Sequence, residues 1–310
     1  MKPKEVLGAF GDKKVVYHSI TIPEGFRLNE IAELMAGTGL CTKEEALASL
    51  NDNSLIAKFE IPADTMEGYV FPETYKFTRP DGAKEMAERM LIEGTKHKTA
   101  DFLNRSTELG FSFHNILTLA SVIEKETGAA EERASISSVF HNRLRIGMPL
   151  QSDPTVIYGI PNFDGNLTRQ HLKTPTRYNT YINDGLPPNP IASPGLESIK
   201  AALYPSDTDF LYFVSKGNGS HIFSKSYKEH RRNVNKYQKG IRPKKEAAKK
   251  PAPVKTKPAP VKPKIDPEKK KKAEIEAFKK RLQAEKKKSP PKPKPAKRKK
   301  KQPVSQLDFD

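Results

Sequence analysis

The chain has 310 residues, with 55 Lys+Arg against 37 Asp+Glu and a formal net charge of +18. Residues 241–310 hold 26 basic and 8 acidic residues, leaving 29 of each in residues 1–240, so the excess charge belongs to the tail and excludes a basic nucleic-acid-binding body. Cys41 is the only cysteine, which excludes an internal disulfide or a cysteine metal cluster, and no run of about 18 apolar residues offers a membrane span.

Residues 1–14 can form a short helix that stops at the Gly11-Asp12 turn. Val15 to Ile22 is β-rich and ends at Pro23-Glu24-Gly25, a turn signal. Leu28, Ile31, Ala32 and Met35 then recur at helical spacing, and Thr42 with Glu45 three residues on marks the cap of a second helix. One strand and short helices bury little core, so this module packs on the next domain or lacks its first half. The phrase EGYVFPETY, Glu67 to Tyr75, leads a turn into an aromatic strand. Aromatic rings beside a carboxylate suit a sugar site, which makes Glu73 a weak candidate contact. Helices are predicted from about Ala83 to Lys98 and around Asp101 to Leu109.

The stretch from Asn115 to Leu150 organises the chain. Ile116, Leu119, Ala120 and Ile123 define one buried helix face that ends on two acids, Glu124 and Glu126. Glu126 continues the stripe of Leu119, Val122 and Ile123, and a carboxyl group there loses hydration, which favours its neutral form. That state suits a general acid. Glu124 has apolar neighbours of its own in Leu117 and Ala120, and both acids also read as ordinary surface glutamates, so periodicity does not choose. At ~100° per residue the two point about 200° apart and are not a dyad. A second helix runs from about Ala130 to Ile146, with Glu131 and Glu132 in its first turn and Arg143 and Arg145 in its last, as the helix dipole favours. His141 and Arg133 read as surface or helix-packing residues.

Gln151 to Tyr158 reads as a polar loop entering an apolar segment, with Asp153-Pro154 suited to a turn. Residues 177–195 are a proline-rich connector or groove wall. A short helix from Ser198 to Tyr204 precedes a hairpin around Gly217-Asn218-Gly219, and Tyr227 to Tyr237 closes the folded body. From Arg242 the composition turns to Lys, Pro and Ala, which predicts disorder, with a basic helix over 267–288 suited to an anionic surface. Paired-histidine zinc spacing, a nucleophile elbow, a P-loop and a dinucleotide fingerprint are all missing, so carboxylate chemistry is left, with no metal and no cofactor expected.

Residues 120–159, ASVIEKETGAAEERASISSVFHNRLRIGMPLQSDPTVIYG, resemble the endolytic murein transglycosylases (the MltG, YceG-like family). EGYVFPETY at 67–75, TPTRYNTY at 174–181, GLPPNPIASPG at 185–195 and LYFVSKGNGSHIFS at 211–224 match the family in the same order. The resemblance implies an α+β fold, with a LysM-like subdomain, here N-terminally truncated, over residues 1–55. A catalytic domain would occupy 56–240, and the basic tail over 241–310 stands outside the likeness.

The activity that the resemblance implies is cleavage of the β-1,4 bond between N-acetylmuramic acid and N-acetylglucosamine within glycan strands. Such cleavage leaves 1,6-anhydro ends and helps terminate nascent strands. The resemblance places the catalytic role on Glu126, acting as acid and then as base. Gln151, Ser152, Asp153, Thr155, Tyr158, Asn179, Thr180 and Tyr181, with Glu73 more weakly, become candidate groove contacts. Glycan strands and peptidoglycan synthases are the implied partners, with no specific nucleic acid. The implied location is the periplasmic face of the inner membrane, although the segment that would anchor the family there is absent from this sequence. The alternative reading is a non-catalytic glycan-binding scaffold of the wall-synthesis machinery.

Overall fold

Strand β1 (His18–Thr21) pairs antiparallel with β2 (Thr74–Phe77), placing Ile20 opposite Tyr75. The chain between these two strands carries three short helices joined by turns. This is a computed structural model that describes residues 15–238; the predicted helix over 1–14, the basic tail and its helix over 267–288 lie outside the described residues. Between the strands come α1 (Leu28–Gly37), α2 (Lys43–Ser49) and α3 (Asn53–Lys58). Leu28, Ile31, Ala32 and Met35 of α1 are all buried, as their spacing predicts. Thr42 caps α2 through the expected box: its hydroxyl accepts from Glu45 N–H at 3.2 Å while Glu45 Oε2 accepts from Thr42 N–H at 2.8 Å. Helix α4 (Ala83–Lys96) adds Met86, Ala87, Met90 and Leu91. The first core therefore runs from Ile20 to Leu91, across residue 55.

A second core begins with α5 (Ala100–Glu108) and α6 (Phe113–Glu126). Every residue of α6 from Ile116 to Ile123 is buried, because α6 is enclosed by α7 (Arg133–Arg145), α9 (Leu196–Leu203) and the chain that joins them. A single 3-10 turn (Ala130–Glu132) links α6 to α7. The segment read as a polar loop is helical: α8 (Asp153–Tyr158) starts with Pro154 in its first turn, where a missing N–H costs nothing. The hairpin of β3 (Tyr212–Ser215) and β4 (His221–Ser224) and the closing helix α10 (Tyr227–Tyr237) end the described fold, which is α+β with two small antiparallel sheets.

The proline-rich segment 177–195 ties the two cores together. Ser193 O accepts from Gly25 N–H and Ser193 N–H donates to Phe26 O, both at 2.8 Å, and Lys125 Nζ donates to Gly25 O at 3.1 Å. At Gly195 a Cβ would lie 1.9 Å from Glu24 Oε1, so only glycine lets that carboxylate lie against the chain. Among the described residues no helix is long and apolar enough to cross a membrane.

Candidate active site

Glu126 is the last residue of α6, and the geometry of that helix end separates it from Glu124. Glu124 is spent on the fold: its Oε2 accepts from Gly195 N–H at 3.0 Å and its Oε1 lies 3.8 Å from Arg133. Glu126 points the other way and opens onto a cavity of about 400 Å³. Its Oε1 accepts a 2.6 Å hydrogen bond from Ser152 Oγ. Burial pushes its pKa up to about 7; the Ser152 bond opposes that rise, Asp153 adds to it, and Arg143 opposes it. The acid is thus held near the balance point between donor and acceptor at neutral pH.

The loop after α7 presents the rest of this wall. Gln151 adopts φ 49°, an uncommon left-handed conformation for a residue with a side chain, and its N–H donates to Thr180 O at 3.0 Å. The turn aims Ser152 back at Glu126. Ser152 N–H donates to Thr180 Oγ1 at 3.1 Å, Thr155 Oγ1 donates to Ser152 O at 2.6 Å, and the two threonine hydroxyls are 2.8 Å apart. This buried hydroxyl chain fixes the one group that orients the acid. Asp153 and Tyr181 face the cavity and bond each other, the phenol donating to Asp153 Oδ1 at 2.7 Å. Burial first, and then that bond, pushes the Tyr181 phenol well up from its usual range.

The ten sequence candidates therefore divide. Glu126, Gln151, Asp153 and Tyr181 line the cavity, and Ser152 bonds Glu126. Thr155, Thr180 and Asn179 lie buried behind them; Asn179 Nδ2 donates to the carbonyls of Thr174 at 2.8 Å and Leu172 at 3.1 Å and so shapes the loop. Tyr158 turns away, its hydroxyl donating to Glu67 Oε2 at 3.1 Å. Glu73 is exposed at the start of β2, accepts from Thr74 N–H at 2.8 Å, and is not among the residues lining the cavity.

Four further lining residues carry chemistry that sequence reasoning missed: Arg143, Tyr212, His221 and His230. His221 is held by Glu132, whose carboxylate accepts its backbone N–H at 2.9 Å and its Nδ1 at 2.8 Å. The His230 ring stacks on Tyr212 at 5.1 Å, and burial lowers its pKa. Arg143 carried a visible signal. It stands seven, four and three positions after Ile136, Val139 and Phe140, all buried, so it closes an apolar stripe as Glu126 does.

One part-buried carboxylic acid, oriented by a buried serine and opening on a polar cavity, defines a site for acid–base chemistry on a polar substrate. The YceG-like family model matches residues 1–236, and the chain belongs to the YceG-like family. It is 39% identical over 233 residues to the endolytic murein transglycosylase of Bacillus subtilis (strain 168), covering 70% of this chain and 64% of that protein. It is 29% identical over 245 residues to the endolytic murein transglycosylase of Streptococcus pneumoniae (serotype 2, strain D39), covering 71% of this chain and 44% of that protein. The chain thus spans less than two thirds of the length of these relatives. The crystal structure of a yceG-like protein of Listeria monocytogenes superposes with a TM-score of 0.65 at 32% identity, covering 75% of this chain and 81% of that one.

Proposed function

We propose that this chain is an endolytic peptidoglycan lytic transglycosylase that cuts the β-1,4 bond between N-acetylmuramic acid and N-acetylglucosamine inside glycan strands. The observation that carries this reading is Glu126, held by burial between its protonated and ionised forms near neutral pH, with one face on Ser152 and the other on the cavity. The similarity to the endolytic murein transglycosylases of Bacillus subtilis and Streptococcus pneumoniae supports the same substrate.

Glu126 gives its proton to the leaving glycosidic oxygen as the C1–O bond breaks. The resulting carboxylate takes the proton of the C6 hydroxyl of the same muramoyl sugar, whose oxygen bonds to C1 and closes a 1,6-anhydro ring. The proton returns to Glu126 and no water is consumed. Glycosidases ordinarily use two carboxyl groups, one to activate water or to form a covalent intermediate. An attacking oxygen that already belongs to the substrate removes that need and contributes through proximity. Gln151, Asp153 and Tyr181 are the groove contacts, and Ser152 aims the acid.

The segments beyond the cavity fit the same reading. The LysM-like module belongs to the part of the chain around residues 1–55, and the β1–β2 pairing carries its packing on into the catalytic part, assigned to 56–240. Peptidoglycan synthases, an anionic surface for the tail, and a periplasm-facing position at the inner membrane complete the proposal. The test is mass spectrometry of peptidoglycan incubated with the wild-type chain and with Glu126→Gln. New 1,6-anhydro ends, reduced on the order of 10²-fold or more in the variant, are expected. Reducing ends would make water the acceptor and Asp153 its base, and the absence of new ends would favour the glycan-binding scaffold.

A further inference from the structure

Arg143 is only 7% exposed, yet its partners are all neutral. Its Nε donates to Leu211 O at 2.7 Å and its Nη1 to Leu150 O at 2.5 Å and Pro149 O at 3.5 Å. Its guanidinium carbon stands 5.4 Å from the centre of the Tyr212 ring. A buried cation keeps its charge only where hydrogen bonds and opposite charge replace lost hydration. The bonds are present; among the described residues no carboxylate forms an ion pair with it. The cavity it lines holds two carboxyl groups, Glu126 and Asp153. Asp153 is already engaged by the Tyr181 hydroxyl. The other titratable groups facing the cavity are Tyr212, Tyr227, His221 and His230.

We infer that Arg143 is a positioning residue for Glu126: a fixed cation whose attraction is weak while the acid holds its proton and strong once that proton has gone to the leaving oxygen. An interaction that grows along the reaction lowers the barrier, whereas one present throughout does not. The same side chain acts on Glu126 by a second route. By holding the carbonyls of Pro149 and Leu150 it anchors the loop whose strained Gln151 turns Ser152 toward Glu126 Oε1. The inference rests on the proposed transglycosylase reading for its catalytic consequence, but not for the electrostatic one.

The experiment is kcat/KM against pH from 5 to 9 on soluble glycan strands for the wild type, Arg143→Gln and Arg143→Lys, with Glu126→Gln as the blank. Carboxyl NMR of each protein reads the titration of Glu126 directly. Arg143→Gln is expected to lose on the order of 10²-fold in rate while Glu126 titrates at higher pH, so the weakened variant stays active further into the alkaline range. Arg143→Lys keeps the charge and is expected to recover most of the rate, with the titration close to that of the wild type. A folded Arg143→Gln with a lower rate but an unmoved Glu126 titration would overturn the inference, because Arg143 would then only brace the loop. Should Arg143→Gln lose its fold, the lysine variant decides. A folded Arg143→Lys as inactive as Glu126→Gln also overturns it, whereas retained activity supports it. A wild-type chain that releases no anhydro ends overturns the transglycosylase reading instead, and the NMR titration still judges Arg143.

Discussion

Glu67, like Glu126, is an acid that folding drives toward its neutral form. It is 4% exposed, its Oε2 accepts from Leu28 N–H at 3.4 Å and from the Tyr158 hydroxyl at 3.1 Å, and its Oε1 has no partner. Burial raises its pKa from the ordinary value of 4.5 to about 7, against the pull of those two bonds and of Arg27. The folded state therefore binds more protons than the unfolded state between those two pH values. Stability from this group is present at low pH and is lost as pH rises through about 7. Glu67→Gln removes that loss. Its melting temperature is expected to fall less than that of the wild type between pH 5 and pH 8.5, a relative gain on the order of 1–3 kcal/mol. Parallel melting curves over that range would show that Glu67 ionises without cost. Its partner Tyr158 lies 91 residues away, a pairing no local pattern predicts. Spacing on its own helix marked Glu126 as a candidate for burial but marked Glu124 equally, and only the family resemblance chose between them. Arg143 bore the same signature, but its place in a last helical turn offered the dipole as a sufficient explanation.

Elements long enough to show a period were legible: α1, α6 and α7 stand where their apolar stripes place them, and α4 falls within the helix expected from about Ala83 to Lys98. The six-residue helices α3 and α8 were not, since less than two turns cannot establish a period, and Asp153-Pro154 suits a helix start as well as a turn. The β3–β4 hairpin was legible from Gly217-Asn218-Gly219, but its docking partner was not. It docks on the turn just beyond Glu126, where a Cβ on Gly128 would sit 2.4 Å from Gly219 O. The obstacle is backbone and cannot swing aside. Gly128→Ala must push back the hairpin that brings Tyr212 and His221 to the cavity, and must strain the Glu132–His221 bonds beside it. The expected cost is about 1–3 kcal/mol, read as a lower melting temperature, together with reduced turnover at a temperature where the variant is still folded. Turnover equal to the wild type would mean that the hairpin wall takes no part in binding.

At the scale of the molecule, composition marks where the charged tail begins but not where one core gives way to the next. A boundary at residue 55 suits the sequence because a helical module ends near there and the aromatic phrase comes soon after. The first core ignores it: Ile20 on β1 packs with Tyr75 and Phe77 on β2, and α4 closes the same cluster. Residues 25 and 26 also bond Ser193 in the segment that flanks the second core. A chain cut to residues 56–238 would leave β2 without its strand partner and uncover the buried faces of Tyr75, Phe77, Met86 and Met90. It would also strand the backbone groups of Ser193 and leave Lys125 Nζ without the Gly25 carbonyl. An unpaired strand and an uncovered apolar face favour association over folding. The cut chain is expected to aggregate or to melt without cooperativity, whereas residues 15–238 melt in one transition with both cores. A cooperative, monomeric 56–238 that still cleaves glycan would mean that the second core folds alone and that the contacts at Ser193 only dock a separable module.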